Sequence, residues 1–253
     1  MEWSKAKTIL ICLLLIVNLL LGANALITIR ERDTRETETV RSAVELVRSR
    51  GVELPEEKLL TLPQTMTGAV FTRDVEQERA AAEGLLGPCG EVQPGGGIYE
   101  YGSEKGQIVF RSGGYVEIDW TGAEAPDLTA FLTSAVSERA EVREESGVYR
   151  LWLDGLPAAG AVIEPKGDGG WSGSWVFGAV RGTEASQVSR ASMILALGTA
   201  ASDLGYDSLD DVEAACVLTA LPSGDVRLTP AWHAVSGSEG FYVSALSGEL
   251  LAQ

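Results

Sequence analysis

The hydrophobic pattern of the chain begins with one long run near its start. From Thr8 to Ile29 the sequence has 22 residues without a charge. A helix rises about 1.5 Å per residue, so a helix of this run would cross the roughly 30 Å hydrocarbon core of a bilayer. The pattern therefore predicts a transmembrane anchor at residues 8–29 behind a cytoplasmic tip at residues 1–7.

A cleavable secretory signal is the alternative interpretation of the same run. Two lysines precede it, and Ala23-Asn24-Ala25 matches the small-x-small pattern of a cleavage site after Ala25. The apolar residues continue past that site to Ile29, which favours an uncleaved anchor. We expect a single-pass protein of the cell membrane with a cytoplasmic N-terminus and an extracellular C-terminal domain, because long domains translocate largely regardless of charge.

Residues 30–64 follow as a charged helix and a connector. Val40, Val44 and Val47 recur at helical spacing, and Gly51 occupies the position of a glycine that ends a helix. The pattern predicts a juxtamembrane helical stalk. Its valine stripe belongs either to a solvated surface helix or to a contact with another helical stalk, so the three valines are candidate contacts.

The remaining chain repeats a helix followed by strands. In a first predicted unit, residues 65–121, Asp74 opens a helix between a strand at 68–72 and three strands at 98–101, 107–111 and 115–120. In a second, residues 122–253, helices begin near Pro126 and Ala185. Its strands are predicted at 148–154, 159–164, 173–180, 212–220, 226–234 and 240–246. This order predicts an α+β fold with helices packed on antiparallel sheets.

The composition fits a folded protein without nucleic-acid partners. Hydrophobic residues make up 45% of the chain and charged residues 22%, unlike a disordered chain. The net charge is −16 at pH 7, and it lies almost entirely beyond residue 29. Because such a surface repels polyanions, we expect protein or cation partners.

Two cysteines lie far apart in the predicted extracellular part, Cys89 and Cys216. An oxidising compartment would allow them to pair, but their spacing resembles no disulfide framework. Two unpaired and mostly buried thiols are the favoured interpretation.

No strong catalytic or metal-binding motif is present. His233 is the only histidine, which excludes a histidine zinc cluster, and its flanking residues predict a structural role in a strand. Glu117 and Asp119 share one strand face and could form a carboxylate pair, but their alternation with Val116 and Ile118 favours a solvated strand face. An acidic cluster lacks the spacing of a calcium-binding loop: Asp203, Asp207, Asp210 and Asp211. We predict no enzyme, no cofactor and no metal site.

Short sequences at the two ends of the chain resemble one protein family. The opening Glu2-Trp3-Ser4-Lys5-Ala6-Lys7-Thr8-Ile9 runs into an apolar segment and resembles the start of YycI-type regulatory proteins of Gram-positive bacteria. Leu228-Thr229-Pro230-Ala231-Trp232 and Gly240-Phe241-Tyr242-Val243-Ser244-Ala245-Leu246-Ser247-Gly248-Glu249 are similar to the closing strands of those proteins and of PepSY-like domains. The central part of the chain matches no motif of the family.

The resemblance implies a regulatory function at the membrane. Proteins of this family act through their anchor on the sensor histidine kinase of the cell-wall-controlling WalK/WalR (YycG/YycF) system, often together with the related YycH. The implied fold is a pair of tandem PepSY-like or YycI-like units without catalysis. We take Trp3, Asn18 and Asn24 as candidate contacts with a partner's membrane helix, since the asparagines are the most polar residues of the run.

Two other functions remain open from the sequence. A secreted or anchored PepSY-like module would bind a ligand or inhibit a peptidase without any kinase partner. An extracytoplasmic hydrolase would use the carboxylates of Glu117 and Asp119.

Overall fold

The computed structural model of the protein describes residues 14–15, 17–19, 21, 37–134, 139–167, 169–187 and 189–251. Within the predicted anchor the described residues are helical and exposed, Asn18 among them. No helix in the described parts of the chain is long and apolar enough to cross a membrane. The remaining anchor positions, including Trp3 and Asn24, lie outside the described residues.

Beyond residue 36 the described chain forms helices on a large mixed sheet, which confirms the α+β class. The helices are α1 (residues 37–49), α2 (Glu56–Thr61), α3 (Val75–Leu86), α4 (Leu128–Ser134) and α5 (Arg190–Leu204). The first strands are β1 (Thr65–Arg73), β2 (Gly90–Gly95), β3 (Ile98–Ser103), β4 (Gly106–Phe110), β5 (Tyr115–Trp120), β6 (Ala140–Glu145) and β7 (Val148–Leu153). The others are β8 (Leu156–Pro165), β9 (Trp171–Ser174), β10 (Gly178–Gln187), β11 (Asp211–Ala220), β12 (Val226–Ser236), β13 (Glu239–Ser244) and β14 (Leu250–Leu251).

The strands pair in the order β10-β1-β12-β11-β8-β9-β5-β4-β3-β2. Two branches leave this order: β13 pairs with β12 and carries β14, and β7 pairs with β8 and carries β6. The predicted antiparallel pairing holds except between β8 and β11, which are parallel. A parallel pair needs a long crossover, and here β9, β10 and α5 lie between the two strands in the chain. Strand pairing also crosses the predicted boundary after residue 121, because β1 pairs with β10 and β12, and β5 pairs with β9.

Two hydrophobic cores fill the molecule, and β12 contributes to both. The first core lies against α3 and α4 and includes Val226 and Leu228, whereas the second lies against α1, α2 and α5 and includes Trp232 and Ala234. These β12 residues have even numbers and therefore share one face of the strand. A single long strand thus connects the two cores.

The starting positions of α3 and α5 depend on both local and distant residues. At α3 the Asp74 side chain accepts hydrogen bonds from the backbone N–H groups of Glu76 and Gln77, so the predicted cap is confirmed. The Gln77 side chain donates instead to the Ser134 carbonyl at 3.4 Å, so it is not a capping-box partner. Helix α5 begins at Arg190 and not near Ala185, because residues up to Gln187 pair with β1.

Three further predictions from the sequence were wrong in detail. The strand predicted at 173–180 is two strands, β9 and β10, because Trp175, Val176 and Phe177 leave the sheet ladder and enter the first core. Strand β2 was missed because it is exposed throughout and ends in Pro94 and Gly95, and strand β6 because it has only two apolar residues, Ala140 and Val142. The predicted connector at 51–64 contains the short helix α2.

The valine stripe of α1 contacts its own chain and does not face another stalk. Val40, Val44 and Val47 are 8%, 5% and 1% exposed, and they belong to the second core. A Cβ atom built on Gly198 of α5 would lie 2.5 Å from both Cγ atoms of Val47, so the two helices approach each other closely at that point. Burial in this core leaves the stripe no free surface for another helical stalk.

A nearly buried ion pair links β1, α3 and two turns. The Nε and Nη2 atoms of Arg73 donate to the two carboxylate oxygens of Glu78 at 2.6 and 2.8 Å. Nη1 of the same guanidinium donates to the Gly97 carbonyl at 2.6 Å and to Ser112 Oγ at 3.3 Å. The side chains of Arg73 and Glu78 are 13% and 4% exposed. Burial raises the pKa of Glu78, and the Arg73 guanidinium opposes that shift.

We expect Glu78→Gln to lower the free energy of unfolding by about 3 kcal/mol, since it leaves the Arg73 charge buried and unpaired. Urea denaturation of the variant measures the change. Glu76→Gln is the matched control, because Glu76 lies on the same helix with a side chain that is 75% exposed. Nearly equal stability of the Glu78 variant and the native chain would contradict the structural role of the ion pair.

Glycine-to-alanine changes in two helices should have opposite effects. Gly198→Ala places a methyl group against Val47 and should lower the free energy of unfolding by about 1–2 kcal/mol through overpacking. Gly84→Ala in α3 meets no atom within 4 Å and should raise it by about 1 kcal/mol. Thermal denaturation of both variants measures these two changes in stability. Stabilisation by Gly198→Ala would show that α1 does not pack on α5 as described.

Candidate binding cleft

A cleft of about 460 Å³ opens where β8 and β11 separate. These strands pair over only two positions, Cys216 with Ala158 and Val217 with Ala159. Gly160 follows with a φ of +81°, a left-handed conformation that favours glycine. Beyond Gly160, β8 pairs with β7 and β9 but no longer with β11. The cleft is lined by Arg150, Leu151, Pro157, Ala158, Ala159, Gly160, Val162, Glu213, Ala215, Val217, Leu218, His233 and Tyr242.

Three polar side chains form a row across one side of the cleft. Glu213 of β11 pairs in register with His233 of β12, and His233 pairs with Tyr242 of β13. Side chains of directly opposed residues lie on the same face of a sheet. The row is therefore continuous across three adjacent strands.

The two aromatic members of the row stack on each other. The rings of His233 and Tyr242 lie 4.5 Å apart between centroids and 16° from parallel. A Cβ atom built on Gly240 would lie 2.5 Å from Nε2 of His233, so the imidazole occupies the space above that glycine. The histidine ring is thus held between a glycine backbone and a tyrosine face.

Burial determines the protonation states of this pair. It lowers the pKa of His233, while Glu213 and Asp211 act in the opposite direction. It raises the pKa of Tyr242, an effect that Glu213 reinforces and Arg150 opposes. At neutral pH the cleft therefore presents a neutral imidazole and a protonated phenol.

Two charged groups of opposite sign face the cleft from different strands. Arg150 of β7 and Glu213 of β11 are both exposed. Neither of them forms an ion pair with another residue in the part of the chain that the structure describes. The floor between them consists of small or apolar residues, so the cleft combines a cation, an anion and an apolar surface.

The cleft and the second core occupy opposite faces of the same strands. His233 and Tyr242 point into the cleft, whereas their chain neighbours Trp232, Phe241 and Val243 lie in the core that holds α1 and α5. Side chains alternate between the two faces of a strand. A displacement of β12 or β13 at the cleft would consequently change how α1 packs on these strands.

A second cleft, larger at about 710 Å³, lies between α3, α4 and the segment 120–127. Its lining consists mainly of alanine, glycine and other apolar residues. The indole Nε1 of Trp120 already donates to the Glu124 carbonyl at 2.7 Å. The side chains of Asp127 and Ser134 likewise bond to backbone groups, of Ala130 and Phe131. We therefore take the smaller cleft, with its row of polar side chains, as the candidate site.

Lys166 forms ion pairs with both members of the predicted carboxylate pair, Glu117 and Asp119. Lys166 Nζ donates to Glu117 Oε1 at 2.8 Å and to Asp119 Oδ1 at 2.7 Å, and these hydrogen bonds raise the pKa of the lysine. Arg111 also approaches Glu117 at 3.7 Å. Since both carboxylates are paired with cations, this geometry favours a structural role over acid–base chemistry.

Two members of the predicted acidic cluster, Asp210 and Asp211, take part in structural contacts. Asp210 accepts a hydrogen bond from the Gly237 backbone at 2.7 Å, and Asp211 pairs with Lys58 at 2.5 Å. Among the described residues, no group of three or more histidine, cysteine or acidic side chains is arranged to hold a metal ion. The two predicted thiols are free, with Cys89 partly buried and Cys216 buried.

The sequence singled out His233 but did not connect it with Glu213, Tyr242 or Arg150. These residues lie on four strands, and only the register of those strands brings them together. Each residue lies on the less buried face of its strand, which is a weak signal in a sequence. His233 is structural in its packing, as predicted, and it also lines the cleft.

Comparisons with known proteins identify no family. No protein-family model matches the chain, and no curated protein matches it. A solved structure of an uncharacterized protein from Eubacterium rectale ATCC 33656 is similar over 76% of this chain and 86% of that chain, with 10% identity and a TM-score of 0.40. The C-terminal domain of Bacillus megaterium YpeB is similar over 72% of this chain and 99% of that chain, with 10% identity and a TM-score of 0.32. These values are too low to support an argument, so the resemblance to YycI-type proteins stays a prediction.

The lowered pKa of His233 predicts a specific dependence of stability on pH. The unfolded chain takes up the histidine proton near its usual pKa of 6.5, before the folded chain does. The free energy of unfolding should therefore fall as pH drops below that value, and the histidine contribution should be constant above it.

Urea denaturation of the native chain and of His233→Gln, from about pH 7.5 to about pH 5, measures this contribution as a difference. The native chain should lose stability relative to the variant as pH falls. Because this is the only histidine, no other imidazole contributes to the difference. Parallel curves would contradict burial of the ring.

Proposed function

We propose that the protein is a membrane-anchored extracytoplasmic regulator that binds a ligand in the β11–β13 cleft and biases a WalK/YycG-like sensor histidine kinase through its anchor. A YycH-like protein is a proposed further partner. The observation that carries this proposal is the position of the cleft and of the stalk helix α1 on opposite faces of β12 and β13. The sequence resemblance at residues 2–9 supports the identity of the partner.

The proposed mechanism uses the packing between the cleft and the stalk. A ligand against His233 and Tyr242 would favour one position of their strands, and Trp232 and Phe241 on the other face would transmit that preference to the core of α1. In the chain, helix α1 comes after the predicted anchor at residues 8–29. A ligand shifts a two-state equilibrium only by its difference in affinity for the two states, and a few kcal/mol suffice.

A hydrolase is the less favoured function, because Lys166 pairs with both candidate carboxylates. A PepSY-like binding or inhibitor module without a kinase would use the same cleft. The mature N-terminus identifies the secreted form of that alternative, since cleavage after Ala25 would remove the anchor that regulation of a kinase requires. Mass spectrometry of the protein from membranes and from the culture medium gives this N-terminus directly.

Replacement of residues 8–29 tests the anchor. The full chain and the sensor kinase are reconstituted together in lipid vesicles, and kinase autophosphorylation is measured with and without the protein. We expect the native chain to change the rate and a chain with an unrelated apolar helix of equal length to have no effect, because specific helix contacts are lost.

The matched control is a second replacement helix that keeps Asn18 and Asn24, the two candidate positions within residues 8–29; Trp3 is present in both chains. It should restore the effect if these positions contact the kinase. An unrelated helix that acts on the kinase as strongly as the native anchor would overturn the proposed mechanism.

A further inference from the structure

We propose that the cleft binds a short peptide with two free ends, whose carboxylate contacts Arg150 and whose ammonium group contacts Glu213. The proposal rests on the ligand-binding role of the cleft stated above and names the chemical class of its ligand. It concerns binding alone, so it can be tested without a kinase.

The charges of the cleft carry the first step. In a chain with a net charge of −16, Arg150 is an exposed guanidinium that lines a cleft without a carboxylate partner among the described residues. A guanidinium presents a planar set of donors that matches a carboxylate. Tyr242 also lines the cleft, and because burial raises the pKa of its hydroxyl, this group remains a donor at neutral pH. Arg150 therefore gives the cleft a group that suits an anion.

Glu213 makes the site bipolar. It lies at the other end of the row, beyond His233, and the cleft has no other acidic side chain in its lining. A simple carboxylate ligand such as a fatty acid would gain nothing from this residue, whereas an ammonium group would pair with it. A molecule with one positive and one negative end therefore fits the two charges better than an anion alone.

The size of the row suits a short ligand. The row crosses three strands, and adjacent strands lie about 4.8 Å apart, so the row is about 10 Å long. An extended peptide spans about 3.3–3.6 Å per residue, so about three residues would cover the row. The floor of alanine, glycine and valine leaves room for small apolar side chains above it.

Tri-alanine is the probe, and isothermal titration calorimetry of the full chain in detergent micelles is the measurement. Tri-alanine amide lacks the carboxylate, and N-acetyl tri-alanine lacks the ammonium group. We expect each modification to weaken binding about tenfold or more, since hydrogen bonds to charged groups contribute about 1.5–3 kcal/mol.

Variants assign each end of the peptide to a residue. Arg150→Gln should weaken binding of tri-alanine about tenfold and remove the difference between the acid and the amide. Glu213→Gln should remove the difference between the free and the acetylated N-terminus. Both positions are exposed, so the fold should tolerate the changes. Arg227→Gln, at an exposed strand arginine outside the cleft, is the matched control and should bind like the native chain.

Two results would overturn the assignment. Absence of tri-alanine binding at millimolar concentration would show that the cleft is no peptide site, and equal binding of the acetylated peptide would show a site for simple carboxylates. Failure of the kinase experiment with intact peptide binding would refute the proposed regulation and leave the ligand class standing. If the protein regulates the kinase but binds no peptide, the ligand class is refuted and the proposed regulation stands.

Discussion

The bidentate pair between Arg73 and Glu78 holds β1, α3 and the turns at Gly97 and Ser112 in one arrangement. Removal of two charges from water costs several kcal/mol, so such a pair is stable only when its geometry is good and its remaining donors are satisfied. The guanidinium meets this condition by bonding to the carboxylate, a carbonyl and a hydroxyl at once. Strand β1 lies between β10 and β12 in the sheet. The pair consequently positions the strand that connects the edge of the sheet to β12 and to both cores.

Strand β12 has a different role on each of its faces. One face supplies Leu228 to the first core and Trp232 to the second, and the other face presents His233 to the cleft. Because side chains alternate along a strand, residues next to each other in the sequence belong one to the core and one to the candidate site. The packing of α1 and the geometry of the cleft are therefore not independent. This dependence is the physical basis for linking the occupancy of the cleft with the position of α1.

The charged groups singled out by the sequence and those of the cleft differ in their partners. Lys166 pairs with both Glu117 and Asp119, and Lys58 pairs with Asp211, so these acidic residues are engaged in structural contacts. Arg150 and Glu213 have no such partners among the described residues, and both line the cleft. Exposed ion pairs contribute little to stability, so charges left unpaired beside an apolar floor are more informative about recognition than the pairs are.

The sequence by itself determined the features that depend on near neighbours. The Asp74 cap, the alternation of Val116 and Ile118 in β5 and the apolar stripe of α1 follow from spacings of two to four residues, and the structure contains all three. Only the tertiary structure decided what the stripe contacts and that β10 continues to Gln187 before α5 begins. It alone also placed Glu213, His233 and Tyr242 in one row. The reason is that strand register joins residues far apart in the chain, and the local pattern of each strand is compatible with many partners.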